Sequence, residues 1–570
     1  MGIRQITAAV IMTVGLSGTL LSADEGHLIQ VGVARSDITP DYPVRLNGFG
    51  GRRQEFEGIR QRIWAKALAI GADNDPGGPA VLVTLDATFV TDDLFRETAR
   101  RLEAHGVKQD RLAITATHTH SAPMIRNAAP TLFGEPIPPP HQEHIDRYTA
   151  ELHERVVQVA ADALRDRRPA KLEYAIGEVT FARNRRTPGG PVNHELMTVR
   201  VRAPQGDLRA IYVSYACHCV TLSDNQLNGD WAGYAAEHLE RQSPGCVALV
   251  SVGFGADSNP SSGVTGGNAE AASAQGLEIA AEVKRLMDLP WMPIRNVPEI
   301  DSPQIVLPLA ELPSREKWEQ KAKASGAEGH HARVQLARLD QGLTLPTRID
   351  YPIRIWRFGK DLAMVFLPGE VVVDYALRLK RELDGHRLWL NGYSNGCPGY
   401  VPSERILREG GYEGGGAMIY FDIPGPYAAG LEQKIVDAVR QPLLHDFAAR
   451  FDSQRTRGTV PRPATMAVAS LRTLPGYSVQ LVASEPLISS PVAIDFSADG
   501  KLWVAEMVDY PTGTAGDYQP GGRVRMLEDS DGDGQYDRSR IFLANIPFPT
   551  GVTAWRKGVL VCAAPDILYA

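Results

Sequence analysis

The run Ala113-Ile-Thr-Ala-Thr-His-Thr-His-Ser-Ala-Pro123 constrains this chain more than any other. Its opening is apolar and β-branched, the composition of a buried strand. Its end is a His-x-His pair. Side chains at i and i+2 of a strand share a face, so His118 and His120 are expected to project together where the strand gives out. Two imidazoles so placed suit a metal ion, and zinc is the usual choice where nitrogen ligands serve hydrolysis. Taken alone, the pair fits two alternating surface histidines equally well.

Two other runs share this design. Ile211-Tyr-Val-Ser-Tyr-Ala-Cys-His-Cys219 reads as a second apolar strand ending in His218. Asp361-Leu-Ala-Met-Val-Phe-Leu-Pro-Gly-Glu370 reads as a third, broken by Pro-Gly and ending in Glu370. Singly, His218 fits a core histidine, and Glu370 fits an acid favouring the dipole of a helix over Val371 to Leu383. Jointly, three strand ends that each deliver a ligand-type side chain favour a catalytic metal site.

With these segments in place, the chain resembles the neutral/alkaline non-lysosomal ceramidases, zinc amidases that cleave the N-acyl bond of ceramide. The resemblance is carried by Thr-His-Thr-His-Ser-Ala-Pro, Asn184-Arg185-Arg186, Ala216-Cys-His218 and Gly255-Ala-Asp-Ser-Asn-Pro260. It continues in Leu367-Pro-Gly-Glu370, Tyr400-Val-Pro-Ser-Glu404 and Gly411-Tyr-Glu-Gly414, in family order over about 28–450. It implies His118, His120, His218, Glu370 and Tyr400 as zinc ligands, with Arg185 and Tyr412 holding the scissile group. Ser258 keeps a matching place, which implies a hydrogen-bonding role in the site wall; its neighbouring aspartate, Asp257, is displaced by one position. Gly415-Gly416-Ala417 stands where the family usually has Ala-Ser-Thr, and no immunoglobulin-like C-terminal domain is recognisable.

A chain of 570 residues holds two or three domains with real cores. Its net charge of −7, with signs interspersed, makes no electrostatic case for nucleic acid. The N-terminus reads as a secretory signal peptide over 1–23: Arg4 supplies the positive end, Ala8 to Leu21 the apolar stretch, and Leu21-Ser-Ala23 the cleavage site. A secreted or periplasmic protein is expected, with no later membrane span and with peripheral contact at a membrane surface. The five cysteines are an odd number, and Cys217 and Cys219 read as packing residues beside His218.

Strand-like and helix-like segments alternate over 28–450, which predicts an α/β layered domain with mixed sheets. Residues 451–470 read as a linker. Beyond it, over 471–570, short strands begin at Ser478, Val492, Leu502, Arg523, Ser539 and Gly558. This part resembles the first blades of a quinoprotein-dehydrogenase-like β-propeller, left incomplete. Within it, Asp529, Asp531, Asp533 and Asp537 alternate, with Gly534 at the sixth position, as in a Ca²⁺ loop; Arg540 replaces the glutamate of a regular EF-hand.

The expected function is metal-assisted hydrolysis of a lipid amide or other small amide, with Zn²⁺ as cofactor and Ca²⁺ as a second candidate ion. Three alternatives stay open: a zinc hydrolase of another ester, lactone or amide; an accessory domain of a propeller-type dehydrogenase; and a non-catalytic surface-binding module.

Overall fold

The long apolar runs of the sequence become strands buried on both faces. In Ala80–Leu85, Val81 and Val83 enter one core while Ala80 and Leu82 enter another, so the run is continuous rather than alternating. The computed structural model describes residues 27–449, 464, 467–468, 471, 478–510 and 519–570. The expected signal peptide over 1–23 and most of the expected linker over 451–470 lie outside these residues.

Nine strands form the main sheet. Eight follow the spatial order Val247–Val252, Leu208–Tyr215, Glu195–Arg202, Arg168–Glu178, Ile29–Asp37, Trp64–Ile70, Ala80–Leu85 and Leu112–Ala116, and Met292–Ile294 pairs with Arg168–Glu178 off this path. The first pair and the last pair are parallel; the intervening pairs are antiparallel. A second sheet has the order Glu299–Asp301, Arg354–Phe358, Leu362–Phe366, Leu388–Asn391.

The two sheets pack face to face. Leu68, Tyr174, Val199, Tyr212 and Leu249 of the first meet Trp356, Phe358, Met364, Phe366 and Trp389 of the second. Tyr212 stacks on Trp389 with ring centroids 4.5 Å apart. Each such buried large side chain contributes about 1.5–3 kcal/mol of burial free energy. The other face of the main sheet is covered by the helices Asp92–Leu102, Pro139–Arg165, Asp230–Gln242 and Ala269–Met287. The helices Val373–Glu382 and Leu431–Phe447 cover the second sheet. The layers therefore run helix, sheet, sheet, helix, as the mixed α/β expectation requires.

The open edges of the main sheet meet one segment. The amide of Gly392 donates to Val252 O at 3.0 Å, and that of Asn395 donates to Ile114 O at 2.8 Å; Ile114 N donates to Asn395 Oδ1 at 2.8 Å. Residues 392–395 thus bond to both outer strands towards their C-terminal ends. The buried Asn391 carboxamide anchors the segment by accepting from Tyr212 Oη, Ser251 Oγ and Trp389 Nε1 at 2.7, 2.9 and 3.0 Å. These bonds draw the ends of the strands that precede His118 and His218 towards one another.

Several boundaries differ from the sequence reading. The His-x-His strand stops at Ala116. The long helix begins at Pro139, because prolines at the first helical positions need no N–H partner. Glu370 does not end the strand Leu362–Phe366 but sits in a separate two-residue strand.

The C-terminal part forms two antiparallel sheets with their own apolar clusters. One runs in chain order through Pro491–Phe496, Leu502–Glu506, Gly522–Glu528 and Arg538–Ile546; the other through Pro549–Trp555, Gly558–Ala563 and Asp566–Tyr569. Residues 478–483, expected as a strand, carry no ladder. No helix among the described residues is long and apolar enough to cross a membrane.

Candidate metal centre

His118 lies past the strand in a left-handed backbone conformation, φ +57°. This is uncommon for a side chain other than Gly, Asn or Asp. The convergence of His118 and His120 therefore comes from a turn, not from strand alternation. His118 Nδ1 sits 2.8 Å from Thr88 O. Since a carbonyl only accepts, Nδ1 carries the hydrogen and Nε2 presents its lone pair.

His120 is set by a cross-chain tie: its amide donates to Cys219 O at 3.1 Å, and Thr119 bridges Cys219 in parallel. Arg52 donates to the carbonyl of His120 from one side. Gly48, at φ +90°, backs the ring so closely that a Cβ there would lie 2.6 Å from His120 Cβ.

His218 is held by its amide on Ser258 O at 2.9 Å and by Trp231 Nε1, which donates to His218 O at 2.9 Å. Cys217 and Cys219 are buried in the apolar core.

The ligand atoms meet. His118 and His120 Nε2 are 3.1 Å apart. Glu370 Oε2 is 3.2 Å from both His118 Nε2 and His218 Nε2. Tyr400 Oη is 3.3 Å from His218 Nε2. Two ligands bound tetrahedrally at about 2.1 Å to one ion sit roughly 3.4 Å apart, so the spacing fits a shared cation.

Electrostatics supports the same fit. Glu370 is 2% exposed, and its Oε2 makes no hydrogen bond despite the close nitrogens. Burial pushes the His218 imidazole down to about 4 and the His120 imidazole well below its ordinary value. Burial alone would raise the Glu370 carboxyl; the adjoining His118 and His218 outweigh it and hold the group ionised. A buried carboxylate is stable only with a positive partner, which a divalent cation supplies.

Beside this cluster lies a second group. Arg185 Nη2 donates to Tyr400 Oη at 2.9 Å, and Arg185 Nε donates to Glu413 Oε1 at 3.0 Å. Burial disfavours the guanidinium charge, but Tyr400 and Glu413 more than restore it. Burial also raises the Tyr400 hydroxyl well above its ordinary value, so it stays protonated. Tyr412 is half exposed, packs edge-on to Tyr400 at 5.2 Å, and lies 5.5 Å from the Arg185 guanidinium.

Ser258 belongs to a short strand, Ser258–Pro260, paired with Ala182–Asn184, which delivers Arg185. Its Oγ is buried without a partner among the described residues. The displaced Asp257 has a structural role: it accepts from Val373 N, capping the helix Val373–Glu382 from a distance, and from Asn184 Nδ2.

Sequence reasoning missed Glu413, which also pairs with Arg186 at 3.2 Å. Its adjacency to Tyr412 was the available signal. It also missed Tyr393, which stacks on His118 and lies in no recognised motif.

In the C-terminal part, Asp529, Asp531 and Asp533 offer oxygens within 4.8 Å of one another. Asp537 stands apart from them, accepting from Ser530 N at 2.9 Å. Asp529 caps its own turn through Gly532 N and Gly534 N.

Comparison with known proteins finds likenesses in sequence and in fold. Residues 29–252 match the model of the neutral/alkaline non-lysosomal ceramidase N-terminal domain. The fold is ceramidase-like. The crystal structure of neutral ceramidase from Pseudomonas aeruginosa superposes with a TM-score of 0.57 at 18% identity, covering 91% of this chain and 90% of that one. A ceramidase complexed with C2 gives the same TM-score at 19% identity, with the same coverage.

Neutral ceramidase of Drosophila pseudoobscura pseudoobscura is 34% identical over 119 residues, 20% of this chain and 16% of the relative. That of Drosophila melanogaster is 36% identical over 98 residues, 16% of this chain and 14% of the relative. The aligned stretches thus span a small part of these relatives. Residues 463–570 match a domain of unknown function. The N-terminal match contains His118, His120, Arg185 and His218; Glu370, Tyr400 and Tyr412 lie beyond it and join the site through the fold.

Proposed function

We propose that this protein is a zinc-dependent amidohydrolase of ceramidase type that converts an N-acylsphingosine and water into a sphingoid base and a fatty acid. The observation that carries the reading is the meeting of three imidazole nitrogens with the unpartnered Glu370 oxygen, beside the Arg185–Tyr400 pair.

His118, His120, His218 and Glu370 would hold the metal, with Tyr400 at its side. Bound there, zinc supplies a water of lowered pKa and polarises the acyl oxygen. Tyr400 Oη accepts from Arg185, which leaves its own O–H free to donate to an oxyanion, while burial keeps the phenol protonated. Arg185 keeps its charge while held by Glu413, and its remaining N–H groups suit a planar acyl or carboxylate oxygen. Tyr412, at the exposed end, orients the amide. Ser258 offers a hydroxyl with no competing partner.

Phe49 packs on His120 at 5.2 Å, and Phe89 packs on His118 at 5.2 Å. Phe421 lies 6.3 Å from Tyr400. These rings pack the metal-side residues into an apolar surround.

The same reading makes the protein an exported one that meets its substrate at a membrane surface. It treats 471–570 as propeller-like, since the four strands from Pro491 to Ile546 follow one another as in a propeller blade. The test is metal analysis of the purified protein together with release of fatty acid from N-acylsphingosine. The expected result is one zinc per chain and hydrolysis abolished by chelation and restored by zinc. Stoichiometric zinc without fatty acid release would move the substrate to another ester, lactone or amide.

A further inference from the structure

We propose that Tyr393 is a positioning residue for His118, holding the imidazole plane in the orientation that metal ligation requires. The inference rests on reading the histidine cluster as a metal centre.

The Tyr393 ring lies over the His118 ring with centroids 4.2 Å apart and planes 30° apart. Phe89 touches the same imidazole at 5.2 Å, tilted by 56°. Thr88 O pins Nδ1. The carbonyl fixes which way the ring edge points, and the stacked ring fixes its tilt. Without both, Nε2 would sweep across the site.

The backbone of Tyr393 is tied to the same place. Its amide donates to Gly369 O, beside Glu370, at 2.9 Å, and its carbonyl accepts from Ala116 N, just before His118, at 3.2 Å. One residue therefore links two ligand-bearing segments. It does so at φ +52°, where bulky side chains are rare and glycine or asparagine would sit without strain. The phenolic oxygen is buried and has no partner among the described residues. The polar end of the side chain therefore does not explain its presence, whereas the stacked ring does.

The experiment measures the zinc dissociation constant of the full chain by chelator competition and the visible spectrum of the cobalt form. Tyr393→Phe, which keeps the ring, is expected to bind zinc within about twofold of the parent. Tyr393→Asn, which suits the positive φ and removes the ring, is expected to bind about 10–100-fold more weakly, with an altered cobalt spectrum, beside a lowered melting temperature from the emptied core position. Parental affinity and spectrum in the Asn variant would overturn the proposal. So would a tenfold loss in the Phe variant, which decides the matter if the Asn variant does not fold. Failure of the parent to bind zinc would remove the metal reading itself, and this inference with it.

Discussion

Glu370 and Tyr400 are paired residue for residue in a parallel ladder only two residues long. The amide of Glu370 donates to Gly399 O at 2.9 Å. Parallel partners share a face of the ladder, so the carboxylate and the phenol are set side by side against His218. Each is preceded by a left-handed glycine, Gly369 at φ +79° and Gly399 at φ +80°.

This ladder has little tolerance. A Cβ on Gly369 would lie 2.5 Å from Gly399 O. Gly369→Ala is expected to cost about 1–3 kcal/mol of stability through backbone strain and to lower zinc content by displacing Glu370. Thermal unfolding and metal analysis of one preparation check this; full zinc occupancy with an unchanged melting temperature would contradict it.

Tyr400→Phe should lower turnover by ~10²–10³ through loss of one oxyanion donor, with a small change in melting temperature. Arg185→Ala should act differently. The resemblance implies that Arg185 holds the scissile group, a role that by itself says nothing of stability. The structure shows it paired with the buried Glu413, whose carboxylate would then keep Arg186 alone. A loss of about 1–3 kcal/mol is expected beside the loss of turnover. Hydrolysis assays and unfolding curves on both variants separate the two roles; normal turnover in both would remove them from the mechanism.

Stability of the metal-free protein should carry a His218 signature in its pH dependence. The ordinary pKa of 6.5 applies when unfolded, and burial depresses it to about 4 when folded. The unfolded state therefore binds more protons between these values, so this contribution is complete above pH 6.5 and is lost as pH falls towards 4. It amounts to about 3 kcal/mol. Asp86 and Asp230 act oppositely: burial raises each carboxyl from 3.8 to about 6, so their cost grows as pH rises through that window. The difference in pH slope between the parent and His218→Gln isolates the histidine. Parallel slopes would mean that His218 is not buried neutral.

Deleting residues 471–570 should leave hydrolysis nearly intact. The strands of this part pair only with one another among the described residues, and their apolar clusters are their own. Assaying the soluble truncated protein checks the division; a large loss of activity would show that the C-terminal sheets support the site.

The sequence by itself determined the kinds of element and the kinds of ligand. Strand-forming runs buried on both faces are legible because burial demands apolar residues at every position, as in Ala80–Leu85. His118, His120, His218 and Glu370 are legible because they follow such runs within a few residues and bring polar atoms that need a partner. Only the tertiary structure decided how they meet. The left-handed turn at His118, the carbonyls of Thr88 and Gly399, the ladder between Glu370 and Tyr400, and the clamp of Glu413 on Arg185 all join residues distant in the chain. No local periodicity encodes such contacts. Tyr393 was invisible for the same reason: its worth lies in a ring face presented to His118, and that face exists only once the two sheets have packed.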